Sequence, residues 1–86
     1  MSKLNVYAIR DNKTEAYMSP FFLQNDNVMK RALIGAKDDP NSMLAKHPED
    51  YGVYSLGTYE QNSGVLDSHE PIHVINVIDL YGENNE

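Results

Sequence analysis

The chain opens with alternating apolar and polar positions, the pattern typical of a half-buried β-strand. Residues 4–10 alternate in this way, and turn residues follow at 11–14. Residues 16–23 form a second apolar segment, and we expect it to pair with the first as a hairpin. Pro20 interrupts this segment and has no amide hydrogen for a sheet ladder, so it marks an edge, a bulge or a break.

The spacing between apolar residues then changes to three and four positions, which predicts one main helix over residues 27–37. Asn25 or Asp26 can accept the free amide hydrogens of the first turn. Pro40 ends the helical region because it disfavours helical geometry in the preceding residue. The helix is expected to pack through an apolar stripe of Val28, Met29, Ala32, Leu33 and Ala36. A short helical turn is expected over 41–46.

The second half of the chain returns to strand-like composition. We expect a strand over residues 51–60, a turn at 61–64 and a continuation of the sheet at Val65 and Leu66. A loop is expected at 67–71. Residues 72–80 are the most β-prone segment and have branched side chains on both faces, so this strand is either central or covered by a partner.

The order of elements predicts an α+β fold with a roughly four-stranded, mainly antiparallel sheet. One main helix covers one face, accompanied by the short helical turn. We expect a single domain over residues 1–81 and an acidic, flexible tail at 82–86. One helix leaves the other face of the sheet open, and a domain of 86 residues has a thin margin of stability. A homo-oligomer, with a dimer favoured, is therefore expected.

The composition excludes several kinds of functional site. The chain has no cysteine, so disulfides and thiolate chemistry are excluded, and a reducing cytoplasm is the expected setting. No apolar run approaches the roughly 18–20 residues that span a bilayer. No phosphate loop or nucleophile motif occurs, so we expect no enzyme activity and no cofactor. The cluster at 47–50 contains His47, Glu49 and Asp50, but consecutive ligands suit a helix stop better than a metal site.

Six tyrosines interleaved with cations suggest a different kind of site. Aromatic rings can stack on the bases of single strands, and cations can contact the phosphates. The candidate residues for nucleic-acid binding are Arg10, Lys13, Tyr17, Lys30, Arg31 and Lys37, with Tyr7 as an alternative stacking platform. The net charge of −6 opposes binding to phosphate, and half-buried tyrosines are also common in sheets and interfaces.

Several segments together resemble a known family. They include residues 5–11, the Pro-Phe-Phe at 20–22, residues 38–44, the His-Pro-Glu-Asp-Tyr at 47–51 and the Leu-Gly-Thr-Tyr at 56–59. This combination is similar to the small non-structural protein of gokushoviruses, which are single-stranded-DNA phages of the Microviridae. The resemblance covers about the first three quarters of the chain. It implies a non-structural, DNA-binding protein that acts in genome replication in the host bacterial cytoplasm.

Two functions remain open from the sequence. The first is binding of single-stranded DNA during phage replication, which the resemblance favours. The second is a homo-oligomeric interaction module that acts on a replication or host protein without contacting DNA. The acidic composition and the doubly apolar segment at 72–80 favour the second.

Overall fold

A computed structural model, which describes residues 3–82, shows one antiparallel sheet built around a central pair of long strands. The first strand pairs with the fourth on one side and with the short second and third strands on the other. The fifth strand pairs with the outer side of the fourth. The strands therefore occupy four positions across the sheet. In chain order they are β1 (Lys3–Asp11), β2 (Ala16–Tyr17), β3 (Phe21–Leu23), β4 (Tyr51–Glu60) and β5 (Val65–Asn76).

Register shifts bend the sheet at several places. β1 and β4 shift between Val6 and Tyr7, and β4 and β5 shift twice. Gly57 lies beside one shift with a φ of +151°, where a Cβ atom would stand 2.1 Å from the carbonyl oxygen of Asp67. Because no side chain fits so close to a backbone oxygen, the approach of the two strands requires glycine here.

Helices connect the two halves of the sheet and follow its last strand. α1 (Asp26–Gly35) begins after Asn25, whose side chain accepts a hydrogen bond from the amide of Val28 at 2.9 Å. α2 (Met43–Lys46) is a single turn capped by Ser42. A 3₁₀ turn (Pro48–Asp50) leads into β4, and α3 (Val77–Gly82) follows β5 without a break. Asn25 is one of the two caps expected for the main helix, since short polar side chains satisfy the free amides of a first turn.

The core lies between the helices and one face of the sheet. Tyr7, Met29, Val53 and Val77 are its largest fully buried side chains. The predicted helical stripe is only partly confirmed, because Met29 and Leu33 are buried and Ala36 is half-buried, while the other two predicted members are exposed. Each of the two buried side chains contributes about 1.5–3 kcal/mol relative to an exposed position. The narrow stripe reflects the small area of the sheet that α1 covers.

The structure of residues 65–82 differs from two expectations. Residues 67–71, expected to be a loop, belong to β5, and the expected strand over 72–80 ends at Asn76. Val77 begins a helix in which Val77, Leu80 and Tyr81 are buried, whereas Ile78 is exposed. Spacings of three and four residues bury one side of a helix, and this burial outweighs the β propensity of the branched residues.

The α+β class is confirmed, with an antiparallel curled sheet of about four strands, one main helix and short helical turns. Gly82, the first residue of the expected tail, ends α3. The rest of that tail, 83–86, lies outside the described residues.

Candidate nucleic-acid interface

The strand pairing divides the sheet into two chemically different faces. Partners that lie directly opposite each other in a ladder share a face, and neighbours along a strand alternate. The face that carries Tyr7, Ile9 and Val53 packs against the helices, and we call it the core face. The opposite face, which we call the aromatic face, carries Arg10, Tyr17, Phe22, Tyr54, Tyr59 and His73 at paired positions.

Small residues form the floor of the aromatic face. Val6 and Ala8 point away from the helices, yet they are only 5% and 1% exposed. The register places Gly57 beside Val6 and Gly52 beside Arg10, and both glycines are buried. The larger rings of the aromatic face therefore lie next to positions that carry only small side chains or no side chain.

Ring contacts cross the central strand. The centroids of Tyr17 on β2 and Tyr54 on β4 are 5.5 Å apart, although β1 lies between these strands. Phe22 on β3 and Tyr59 on β4 make a second contact of 5.5 Å across β1. Both pairs have the edge-to-face geometry that aromatic quadrupoles favour. The rings thus form two bridges above β1.

His73 extends the first bridge to the last strand. Its ring centroid lies 5.3 Å from that of Tyr54, and its Nε2 lies 2.8 Å from the Oδ1 of Asn76. At the other end of the same row, Tyr17 remains 44% exposed. Rings from β2, β4 and β5 therefore make one row across the sheet, with an accessible ring at its end.

Arg10 is the cation of this face. Its guanidinium carbon lies 5.8 Å from the centroid of the Tyr17 ring, and its Nη1 donates a hydrogen bond to Asn12 Oδ1 at 2.7 Å. Arginine has five donors in a rigid fork, so the bond to Asn12 leaves others for a phosphate. The pair of Arg10 and Tyr17, both sequence-predicted, thus joins a cation to a stacking ring.

Charge is segregated between the two faces. At the paired strand positions of residues 3–82, the aromatic face carries Arg10 and no carboxylate. Asp11, Glu60 and Asp67 have the register of the core face. A chain with a net charge of −6 therefore presents one face without paired-strand acids. The local field, rather than the net charge, governs the approach of a phosphate chain.

The structure does not bring all six predicted site residues together. Lys30 and Arg31 lie on α1, which packs on the core face, and Lys37 donates a hydrogen bond from Nζ to the carbonyl oxygen of Tyr81 at 3.0 Å. Lys13 lies in the turn after β1, with its Nζ 3.8 Å from Asp50 Oδ2. Arg10 and Tyr17 form the part of the set that occupies the aromatic face.

Tyr7 cannot act as a stacking platform, which corrects the alternative proposed from the sequence. Its side chain is fully buried on the core face. Its hydroxyl donates to Asp26 Oδ1 at 2.5 Å and accepts from Asn5 Nδ2 at 3.1 Å. Burial, together with the bond to Asp26, raises the pKa of Tyr7 to about 12. Tyr7 instead holds the first residue of α1 to the sheet.

The cluster at the 3₁₀ turn has some of the geometry of a cation site. Ligand atoms of His47, Glu49 and Asp50 lie within 4.8 Å of one another. Two of the three residues are exposed, and Asp50 also faces the ammonium of Lys13. Exposed acidic groups commonly gather in this way without an ion. We assign no function to this cluster.

Four members of the aromatic face were missing from the sequence-predicted site: Phe22, Tyr54, Tyr59 and His73. Residues 51–60 were correctly predicted as a strand, so the alternation of Tyr54 with Val53 was a usable signal. The register shift beside Gly57 changes the phase along β4, however, and it places Tyr54 and Tyr59 on the same face although they are five residues apart. A strict alternation puts them on opposite faces.

Comparison with known proteins shows the family. A family model described as phage ORF5 protein matches residues 4–80. The chain belongs to the phage ORF5 protein family. The match contains every member of the aromatic face as well as α1, so this face lies within the ORF5 domain. No curated protein and no solved structure matches the chain significantly.

The helices of this ORF5 protein are short. Among residues 3–82, none is long and apolar enough to cross a membrane.

Proposed function

We propose that this phage ORF5 protein binds single-stranded DNA on its aromatic face, without catalysis, during replication of a gokushovirus-type genome in the host cytoplasm. The observation that carries the proposal is the pairing of Arg10 with the exposed ring of Tyr17 on a sheet face free of paired-strand carboxylates. Aromatic rings on an open sheet face, with a cation at hand, are a known solution for binding single strands without sequence preference.

Binding on this face uses stacking more than charge. Tyr17 and Phe22 are 44% and 41% exposed and belong to separate bridges. Each ring can therefore stack on one base of the bound strand. Arg10 supplies one phosphate contact per chain. Each contact adds about 0.7 to the magnitude of the salt slope for single strands. We therefore expect a shallow slope for a single chain, about 0.7, and a preference for single strands over duplex.

The competing function is an interaction module that contacts a replication or host protein. The aromatic face also supports this hypothesis, since tyrosine, phenylalanine and arginine are enriched in interface cores and carboxylates are depleted there. The two functions differ in their response to salt. For binding to phosphates, the logarithm of the binding constant falls linearly with the logarithm of the salt concentration, because each contact releases counterions.

The test is a titration of a fluorescent oligothymidine with the wild-type protein over a series of salt concentrations. Tyr17→Ala should weaken binding roughly 5- to 150-fold, the equivalent of about 1–3 kcal/mol for one stacked base, and leave the salt slope little changed. Met18→Ala is the matched control, because Met18 is the next residue, is 47% exposed and takes part in none of the ring contacts described above.

Equal losses in the two variants would contradict stacking on Tyr17. If the wild-type protein binds no single strand even at low salt, where electrostatic attraction is strongest, the interaction-module hypothesis replaces this proposal.

A further inference from the structure

β5 has one side without a strand partner. It stands last in the strand order, with β4 on its inner side and no strand of residues 3–82 on its outer side. β5 also carries Val65, Leu66 and Ile72, each 58% exposed, the highest values among the exposed large apolar side chains of the described chain. An open edge of this kind offers unpaired backbone groups to another strand.

The first half of this edge is protected against pairing. Asp67 and Glu70 place charges along it, and Pro71 removes an amide hydrogen. The pairing with β4 is also irregular between Ser68 and Ile72. Charges, proline and bulges are the devices by which natural sheets prevent contact between edges. Residues 65–71 are therefore a poor template for a second strand.

The second half carries neither charge nor proline, although its pairing with β4 also shifts once, between His73 and Ile75. Residues 72–76 read Ile-His-Val-Ile-Asn, with no proline and no carboxylate, and three of the five are β-branched. Val74 and Ile75 are half-buried against the core, which anchors this half, while Ile72 extends into solvent. An uncharged edge suits a second copy in particular. Two chains that each carry a net charge of −6 can approach most easily where neither presents a carboxylate.

We propose that residues 72–76 pair in antiparallel fashion with the same residues of a second copy and form a homodimer. A two-fold axis perpendicular to the sheet produces this contact, and it uses the same patch on both chains. Such a rotation leaves the aromatic faces of both copies on the same side of the joined sheet. The two aromatic faces therefore join into one surface over eight strand positions, four from each chain.

The dimer changes the predicted DNA site, an argument that rests on the proposed function. His73, at the β5 end of the ring row, lies at the junction of the two copies. Measured across the strands, Arg10 and its copy are five strand spacings apart, about 24 Å. A single strand that crosses the junction contacts two arginines instead of one, so the salt slope of the dimer should approach about 1.4.

Sedimentation velocity over a range of protein concentrations tests the dimer directly. The wild-type protein should show a concentration-dependent monomer–dimer equilibrium. Ile72→Lys should shift it to monomer, because lysine on an edge strand opposes pairing. Val65→Lys is the matched control: Val65 has the same 58% exposure and the same core-face register but lies in the protected half. It should leave the equilibrium unchanged.

Amide hydrogen exchange provides a second measurement that does not depend on a variant. Exchange of residues 72–76 should slow as protein concentration rises, and exchange of residues 65–70 should not. A wild-type protein that stays monomeric at high concentration overturns the dimer, as does dissociation by Val65→Lys but not by Ile72→Lys. Neither result affects DNA binding by single chains, which the oligothymidine titration measures separately.

Discussion

At the scale of single residues, strand alternation decides what each tyrosine does. Tyr7 points to the core face, where it is fully buried and bonded to Asp26, whereas Tyr17 points to the aromatic face and is 44% exposed. The same phenol ring therefore anchors α1 in one case and offers a stacking surface in the other. Orientation relative to the helices, rather than residue type, separates these roles.

The buried phenol of Tyr7 predicts loss of stability at alkaline pH. Burial and the bond to Asp26 raise its pKa from 10.0 to about 12. Between these values the folded chain keeps a proton that the unfolded chain releases, so the free energy of unfolding falls as pH rises. The loss is at most about 3 kcal/mol when Tyr7 has fully ionised. Denaturant unfolding at intervals from pH 8 to pH 12 measures it.

Tyr7→Phe is the control for this prediction. The variant lacks the ionising hydroxyl, so it should be about 1 kcal/mol less stable at neutral pH but lose less stability in the alkaline range. Burial also raises the pKa of Tyr81, which leaves a smaller decline in the variant. Parallel declines in the two proteins would show that Tyr7 is not the group responsible.

At the scale of elements, α3 shows how burial overrides local propensity. Its sequence contains Val77 and Ile78, which favour strands, but the chain turns into a helix that buries Val77, Leu80 and Tyr81. The Tyr81 hydroxyl donates to the carbonyl oxygen of Leu33 at 2.8 Å, and the Tyr81 carbonyl accepts from Lys37. These two bonds join α3 to the end of α1 and to the turn that follows it.

Two substitutions in α3 distinguish a helix from a strand. Leu80 is 4% exposed and Ile78 is 40% exposed. Leu80→Ala should cost about 2–4 kcal/mol of stability because it leaves a cavity, whereas Ile78→Ala should cost less than about 1 kcal/mol. In a strand the two residues share a face and should respond alike. Urea unfolding of both variants gives the comparison, and similar losses would contradict the helix.

At the scale of the whole molecule, the distribution of charge matters more than its sum. Lys30 and Arg31 lie on α1, Asp11 and Glu60 have the register of the core face, and the aromatic face carries Arg10. An acidic protein can bind a polyanion when its cations and acids occupy different surfaces. Here the separation follows from strand register, since Arg10 and Asp11 are neighbours that alternate to opposite faces.

The two groups of predicted cations can be separated by substitution. Arg10→Gln should weaken binding of oligothymidine and reduce the magnitude of the salt slope by about 0.7 per chain. The double variant Lys30→Gln, Arg31→Gln removes two cations from α1 and should leave the slope unchanged if the strand stays on the aromatic face. A fall of about 1.4 in the double variant would instead show that the strand reaches α1, as the sequence alone suggested.

Local chemistry determined a large part of the architecture from the sequence. Alternation predicted β1, and strand-like composition predicted β4. The cap and the three-to-four spacing predicted α1 within two residues at each end, and Pro20 marked the break between β2 and β3. These signals act over a few residues, so they need no knowledge of the rest of the chain. The interleaving of tyrosines with cations identified Arg10 and Tyr17 as candidates.

Tertiary structure decided what local patterns leave open. The bulge beside Gly57 resets which side chains of β4 share a face, and this brings Tyr59 and Tyr54 to the side of Arg10. Packing against α1 turned residues 77–82 into a helix and buried Tyr7. A register shift or a packed partner depends on residues far away in the chain, and the energy of burying a shared apolar surface exceeds the propensity of a short segment. The sequence therefore determined β1, β4 and α1, whereas packing decided where β5 ends, that α3 is a helix, and which side chains meet on the aromatic face.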